Sequence, residues 1–370
     1  MSRPPGSRVP TPGVWVAWPG RKTSFPRAAG CVTTGAGLRG DNVTRTDSAA
    51  ITKTITTAII GAGMAGLACA RALADAGASV TLFDKGRGIG GRIATRRGAQ
   101  GSFDHGAVAL SADAVPGQPP LPDSYAAYLA TAEGEGAAAF WPAAQGWVGL
   151  PGMSGLLRPM ARGLTVQVGA EVTGVQHAPQ GWCLSGAGLP ETVFDRVILA
   201  IPQPQAMVLL AGCPALQAAI SGAAMRPVWT AMVRFAAPLP LDGDLILRSG
   251  GPVAMSVRTS AKPGRDPGDE AWVIHAAADW TAAHLERDKP EAAALLLAAF
   301  LDDVGLPGVP ALMLEGHRWR YGLTDRALGQ AFVHDAALGL AVCGDWCLGA
   351  TAEDAFASGC ALAKALLADQ

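Results

Sequence analysis

The run Ile55-Thr56-Thr57-Ala58-Ile59-Ile60-Gly61-Ala62-Gly63-Met64-Ala65-Gly66 decides how this chain is read. Its first half is apolar and β-branched, as a buried strand is, and the segment Met64 to Ala76 is rich in Ala and Leu, as a helix is. With glycines between them the order is strand, tight turn, helix. Gly61 permits the sharp turn, Gly63 lets backbone amides approach a pyrophosphate, and Gly66 lets helix and strand pack closely, with phosphates at the helix N-terminus. Gly77 stops the helix, Ser79 to Phe83 forms a second buried strand, and Asp84 falls at its end, where a carboxylate can accept hydrogen bonds from ribose hydroxyls.

Asp84 is followed at once by Lys85-Gly86-Arg87-Gly88-Ile89-Gly90-Gly91-Arg92. A nicotinamide-only dehydrogenase does not need this second glycine pair. Gly90-Gly91 can bring a loop backbone against a dinucleotide seated on the first helix, while Arg92 offers a planar fork to phosphate oxygens. Of Arg96 and Arg97 at least one reads as a solvated surface charge.

A length of 370 residues allows two domains, and 49% apolar against 16% charged residues fits a tightly packed α/β enzyme. A formal net charge of −1, with no basic cluster interleaved with aromatics, argues against nucleic acid as a partner. No uninterrupted apolar stretch is long enough to span a bilayer. The seven cysteines show no metal-like pairing, and His105, His177, His275, His284, His317 and His334 are scattered, so neither a metal site nor a disulfide framework is expected. Cys343 and Cys347 read as buried structural thiols. A reducing, cytoplasmic setting and a small-molecule substrate fit best. Residues 1–53, rich in Pro, Ser, Thr and Arg, read as a disordered N-terminal extension. Further strands are expected at Leu164 to Val168, Trp182 to Leu184, Arg196 to Ala200, Met232 to Phe235, Trp272 to His275 and Leu340 to Cys343. Helices are expected at Pro290 to Asp303 and Glu353 to Leu367, and a mobile surface loop at Gly264 to Asp269.

The pairing of the first glycine motif with Gly90-Gly91-Arg92 resembles the FAD-dependent amine oxidase superfamily. Further segments are similar to its bacterial renalase branch: Trp147-Val148-Gly149, Phe103-Asp104-His105-Gly106-Ala107, Trp272-Val273-Ile274-His275, Asp279-Trp280, His317-Arg318-Trp319-Arg320-Tyr321, and Val342-Cys343-Gly344-Asp345-Trp346. The resemblance implies FAD, held in a discontinuous Rossmann-type domain (54–106, 152–203 and 330–370), with a mixed-sheet substrate domain inserted as 107–151 and 204–329. The fold class is thus α/β with an α+β insert, of amine-oxidase or p-hydroxybenzoate-hydroxylase-like architecture.

By the same resemblance Asp345 bonds the flavin ribityl chain, the helix near Glu353 points its N-terminus at the isoalloxazine ring, Val172 bonds the adenine through its backbone, and Gly106 and Ala107 pass near the ring. Gly61, Gly63, Ala65, Gly66, Asp84, Lys85, Gly91 and Arg92 complete the expected cofactor set. On the substrate face His275 and Trp319, supported by Trp280 and Tyr321, are expected to sandwich and orient a planar ring. The implied chemistry is hydride transfer from an isomeric dihydro-NAD(P) to the flavin, with dioxygen as acceptor and hydrogen peroxide as product. Two departures bear on the substrate. Val108-Ala109-Leu110 stands where the branch commonly has Gln-Tyr-Phe, and Thr351-Ala352-Glu353 where it has Arg-Val-Glu. Another oxidase or desaturase activity of the superfamily, or a flavin-binding protein without catalysis, therefore stays open, as does the oligomeric state.

Overall fold

In the computed structural model of the chain, residues 54–98, 101–111, 113 and 120–369 are described. The extension expected over residues 1–53 lies outside them.

The opening motif forms strand β1 (Thr56–Ile60), helix α1 (Met64–Asp75) and strand β2 (Ser79–Asp84). They sit in a six-stranded sheet with β8 (Thr165–Val168), β12 (Arg196–Leu199), β18 (Phe332–Asp335) and β19 (Leu340–Cys343), in the order β18-β19-β12-β1-β2-β8. Every pair is parallel except the edge pair β18 with β19. A parallel sheet is covered on both faces, and β1 shows how. Ile59 packs into one core with α1 and the C-terminal helix α9 (Ala352–Ala368), while Ala58 and Ile60 face the opposite core. That second core is closed by Trp182 and Phe194 of a small meander, β9 (Gly174–Ala178), β10 (Gly181–Ser185) and β11 (Val193–Phe194). Helices α4 (Gln203–Leu209) and α5 (Pro214–Ile220) pack there too.

The remaining strands build a hairpin, β3 (Arg96–Gly98) with β4 (Gly101–Phe103), and a small sheet of β5 (Leu110–Ser111), β6 (Ala138–Trp141) and β7 (Gly146–Gly149). A larger antiparallel sheet has the order β14-β15-β16-β13-β17, from β13 (Ala224–Phe235), β14 (Leu245–Leu247), β15 (Val253–Arg258), β16 (Glu270–Ala276) and β17 (Ala311–Arg326). One of its faces packs Trp229, Trp272 and Ile274 against helix α7 (Lys289–Asp303), and Met232 and Val273 of the other face meet Phe103. Four shorter or connecting helices complete the fold: α2 (Asp123–Gly134), α3 (Arg158–Ala161), α6 (Ala278–Ala283) and α8 (Asp345–Leu348).

Leu110, Tyr125, Trp141 and Val148, from the stretch 107–151, share one core with α1 and α9, as do Met255 and Val257 of β15. The loop Gly264 to Asp269 lies at the surface, with Gly264, Asp266, Pro267 and Gly268 exposed, but it is anchored. Arg265 and the neighbouring Lys262 turn inward onto Asp104, whose side chain is 1% exposed. Burial alone would raise the Asp104 carboxyl, but Lys262 and Arg265 outweigh it and hold Asp104 well below the usual carboxylate range. Asp104 also accepts hydrogen bonds from Thr95 at 2.8 Å and from the Met153 amide at 2.9 Å. A buried charge satisfied this fully pins the segment that follows it.

Helices α1 and α9 touch at backbone level: a Cβ built on Gly359 would lie 2.2 Å from the Ala65 carbonyl oxygen. Replacing Gly359 with Ala forces the helices apart, and we expect a loss of about 1–3 kcal/mol and a fall of several degrees in Tm, measured by thermal denaturation of the wild type and G359A.

Candidate functional site

The glycine loop is shaped by contacts that leave no room for side chains. Gly61 has φ +106°, donates its N–H to the Phe83 carbonyl at 2.8 Å, and a Cβ there would lie 2.4 Å from the Ala200 carbonyl oxygen. A Cβ on Gly66 would lie 2.0 Å from the carbonyl oxygen of Gly61 itself. Gly63 is the opposite case, since the nearest atom to a Cβ there is 4.0 Å away. It borders a cavity of about 770 Å³. No side chain caps α1 and no acid lies in its first turn, so its leading N–H groups are left for a ligand at the N-terminus. Gly90 donates to the Ala62 carbonyl at 2.9 Å, which lays the second glycine loop on the first.

Asp84 accepts the Ala62 amide on one oxygen at 2.8 Å and the Gly86 amide on the other at 2.7 Å. It thereby ties the two loops together at the cavity's edge, and a carboxylate oxygen with one such bond still has acceptor capacity. Lys85 and Val172 line the same end, and the Ala170 amide bonds the Asp84 carbonyl at 2.9 Å.

At the other end, Arg92 is held by Asp345 in a forked ion pair with Nη–O distances of 2.8 and 2.5 Å. Thr324 donates to the same carboxylate at 3.1 Å, and Arg92 also donates to the Gly322 carbonyl at 3.2 Å. The fork expected at phosphate oxygens is therefore committed to the carboxylate of Asp345, whose side chain is 4% exposed. Arg96 pairs with Glu315, while Arg97 is exposed and reaches only Ser154.

Thr351, Ala352 and Ala355 bring the start of α9 to the cavity. Its N-terminus is closed by a capping box between Thr351 and Asp354. Glu353 turns away from the cavity. Its carboxyl accepts the Ser111 amide at 2.5 Å and lies 3.4 Å from the Tyr125 hydroxyl, and burial pushes it up to about 7.

Edge strand β17 supplies the facing wall through His317, Arg318, Trp319, Arg320 and Tyr321. Opposite Pro227 its ladder slips, since Arg226 pairs with Leu323 and Val228 with Trp319, which bulges Arg320 to Gly322 toward the cavity. Trp319 donates its indole N–H to the His105 carbonyl at 3.0 Å, and the rings of His105 and His317 pack on it with centroids 4.8 and 4.3 Å away. Burial pushes the His105 imidazole down to about 3 and that of His317 to about 4, so both imidazoles are uncharged at neutral pH.

Of the residues expected from sequence, Gly61, Gly63, Ala65, Asp84, Lys85, Gly91, Arg92, Val172, Asp345, Trp319 and Tyr321 meet on this one cavity. The others sit elsewhere. Gly66 lies beneath the loop, as its close approach requires. Gly106 and Ala107 pack against the Arg92 carbonyl, where a Cβ on Gly106 would come within 2.0 Å. His275 is buried inside the antiparallel sheet with its Nδ1 3.4 Å from Thr230, and Trp280 stacks on His284 at 4.0 Å, packed beside the core under α7. Both follow from strand and helix geometry that residue type alone does not reveal. Val108, Ala109 and Leu110 are core residues. Sequence reasoning missed Thr324 and the Asp104, Lys262 and Arg265 cluster. The sequence carried no signal for Thr324, because β17 did not read as a strand.

A Rossmann-type parallel sheet, an uncapped glycine-loop helix and a facing aromatic strand define a dinucleotide-dependent oxidoreductase. The chain belongs to the flavin-containing amine oxidoreductase family, whose pattern matches residues 129–367, and residues 59–117 match an NAD(P)-binding Rossmann-like domain. Solved structures share this fold at low identity. A protein from Exiguobacterium sp. 255-15 named as a protoporphyrinogen oxidase has a TM-score of 0.65 at 15% identity, covering 86% of this chain and 100% of its own. Putrescine oxidase bound to putrescine gives 0.58 at 15%, covering 85% and 100%. Cyclohexylamine oxidase from Brevibacterium oxydans IH-35A gives 0.61 at 15%, covering 85% and 99%. The cofactor is FAD, and the open cradle at Gly63 with the cavity running from Val172 to Asp345 has the shape and donors that it needs.

Because the Glu353 carboxyl keeps its proton to about pH 7 in the folded chain, the folded state binds more protons than the unfolded one between about pH 4.5 and 7. Stability from this group therefore falls as pH rises through that window, by up to roughly 1.4 kcal/mol per pH unit. Tm measured against pH for wild type and Glu353→Gln should show the fall in the former and its loss in the latter.

Proposed function

We propose that this flavoenzyme oxidises an isomeric dihydro-NAD(P), the reaction of the renalase branch that several of its segments resemble. The observation that carries the reading is strand β17, which sets His317, Trp319 and Tyr321 on the cavity wall beside Arg318 and Arg320. The acids elsewhere in the cavity lining have partners: Asp345 with Arg92, Asp84 with backbone amides, and Glu171 4.0 Å from Lys85. Arg318 and Arg320 are themselves paired with Glu286, and the aromatic faces between them suit a planar, neutral ring better than an ammonium ion.

Bound FAD supplies the hydride acceptor, with dioxygen the final acceptor and hydrogen peroxide the product. The chain's own part is alignment. Trp319, fixed by its bond to the His105 carbonyl, offers a face against which the donor ring lies flat. As that ring loses hydride it becomes cationic, and aromatic faces with uncharged imidazoles attract rather than repel the growing charge. No general base is required, because no proton leaves the donor carbon. Asp345 and Arg92 are assigned to the ribityl and pyrophosphate side, and Asp84 and Val172 to the adenosine side.

A second reading, oxidation of an amine, is favoured by the likeness of fold to putrescine and cyclohexylamine oxidases. Anaerobic mixing separates the two. The 2- and 6-dihydro isomers of NAD(P) should bleach the flavin absorbance within seconds, putrescine and cyclohexylamine should not, and Trp319→Ala should slow bleaching at least about ten-fold while retaining FAD. Bleaching by an amine alone would establish the second reading instead.

A further inference from the structure

Beside the main cavity lies a second one of about 290 Å³, walled by Phe103, Met313 and the backbones of Gly98 and Gly101, with the Arg96 and Glu315 side chains among its lining. Nothing in the reading above uses it. Its relation to the main cavity is set by β17. Met313, Glu315, His317 and Trp319 occupy alternate positions of the strand and so share one face, and the contact between the His317 and Trp319 rings, 4.3 Å between centroids, agrees with that. The first two line the second cavity and the last two the main one. At ~3.3 Å per residue, Met313 stands about 20 Å from Trp319, within the reach of an extended dinucleotide whose reacting ring lies on Trp319.

The lining is chemically apt for the far half of such a molecule. Phe103 is 2% exposed, a fixed flat wall, and Met313 is an adaptable thioether packed against the same cluster. Together with glycine backbones they form a slot for a planar base. Arg96 and Glu315 pair across it, with side chains 38% and 40% exposed. Arg96 holds Glu315 through two forked bonds that stay open to solvent, and it can exchange that carboxylate for phosphate oxygens, which a guanidinium grips in the same forked manner. Glu315, released, can accept a hydrogen bond from an exocyclic amino group.

We propose that this second cavity binds the adenosine half of the dinucleotide substrate, with Arg96 on its pyrophosphate. The assignment rests on the dihydro-NAD(P) reading, but its test does not require turnover. ADP-ribose carries the adenosine and pyrophosphate without a reducible ring, and in FAD-loaded protein the cofactor's own adenosine site is filled. Calorimetric titration of ADP-ribose into FAD-loaded wild type should show binding. Met313→Trp, which fills the slot, and Arg96→Gln, which removes the forked donor, should each weaken it about ten-fold or more. Adenosine should feel the first substitution and not the second. If M313W fails to retain FAD, R96Q decides alone. Equal affinity in wild type and variants, or no binding of ADP-ribose to the wild type, overturns the proposal. ADP-ribose binding of the expected pattern in a protein that no dihydro isomer bleaches would leave the site standing and sink the redox reading.

Discussion

Arg92 and Asp345 stand 253 positions apart in the chain and meet in a forked ion pair at the floor of the cavity. Arg92 ends the second glycine loop, Asp345 opens α8 after β19, and Thr324 and Gly322 of β17 bond the same two side chains. Three regions that no local preference would bring together are thus joined at one buried charge. Removing either partner would leave the other ionised in a poor solvent, a cost of several kcal/mol. That pair joins the parallel sheet, the second glycine loop and the edge strand at the cavity.

The aromatic wall depends on the same arrangement at one remove. Trp319 is oriented by the carbonyl of His105, and His105 follows directly on Asp104, which Lys262 and Arg265 hold from the loop beyond β15. A cluster with no cavity contact of its own therefore sets the plane against which a substrate ring would lie. Burial keeps the adjoining imidazoles neutral, so position, more than charge, is what this wall contributes.

How much of this was legible in the sequence follows from the range of the interactions. β1, α1 and β2 were readable because the parallel strands are buried on both faces and the glycines answer to local clashes. β19 matched its expected limits, and α7 and α9 came within a residue or two of theirs. β17 was not readable as a strand: its run His317-Arg318-Trp319-Arg320-Tyr321 lines the cavity at a bulged sheet edge, so it shows no clean alternation. Arg265 read as part of a surface loop and Lys262 gave no signal, because a buried cation is stable only beside a partner, and that partner, Asp104, is 161 and 158 positions away. His275 and Trp280 have the right chemistry for a pocket, but their places within a sheet and against His284 are decided by strand pairing and helix packing. Arg92 carries the same lesson, since its fork was foreseen and its partner was not.

The claim on which all of this rests is that the cavity between Gly63 and Asp345 is a flavin site. Release of the bound chromophore from purified protein by denaturation, with identification and quantification of the nucleotide, tests it most directly. The account predicts one FAD per chain, falling sharply in Asp345→Ala. A colourless protein that takes up no FAD on incubation, or full FAD occupancy in D345A, would contradict it.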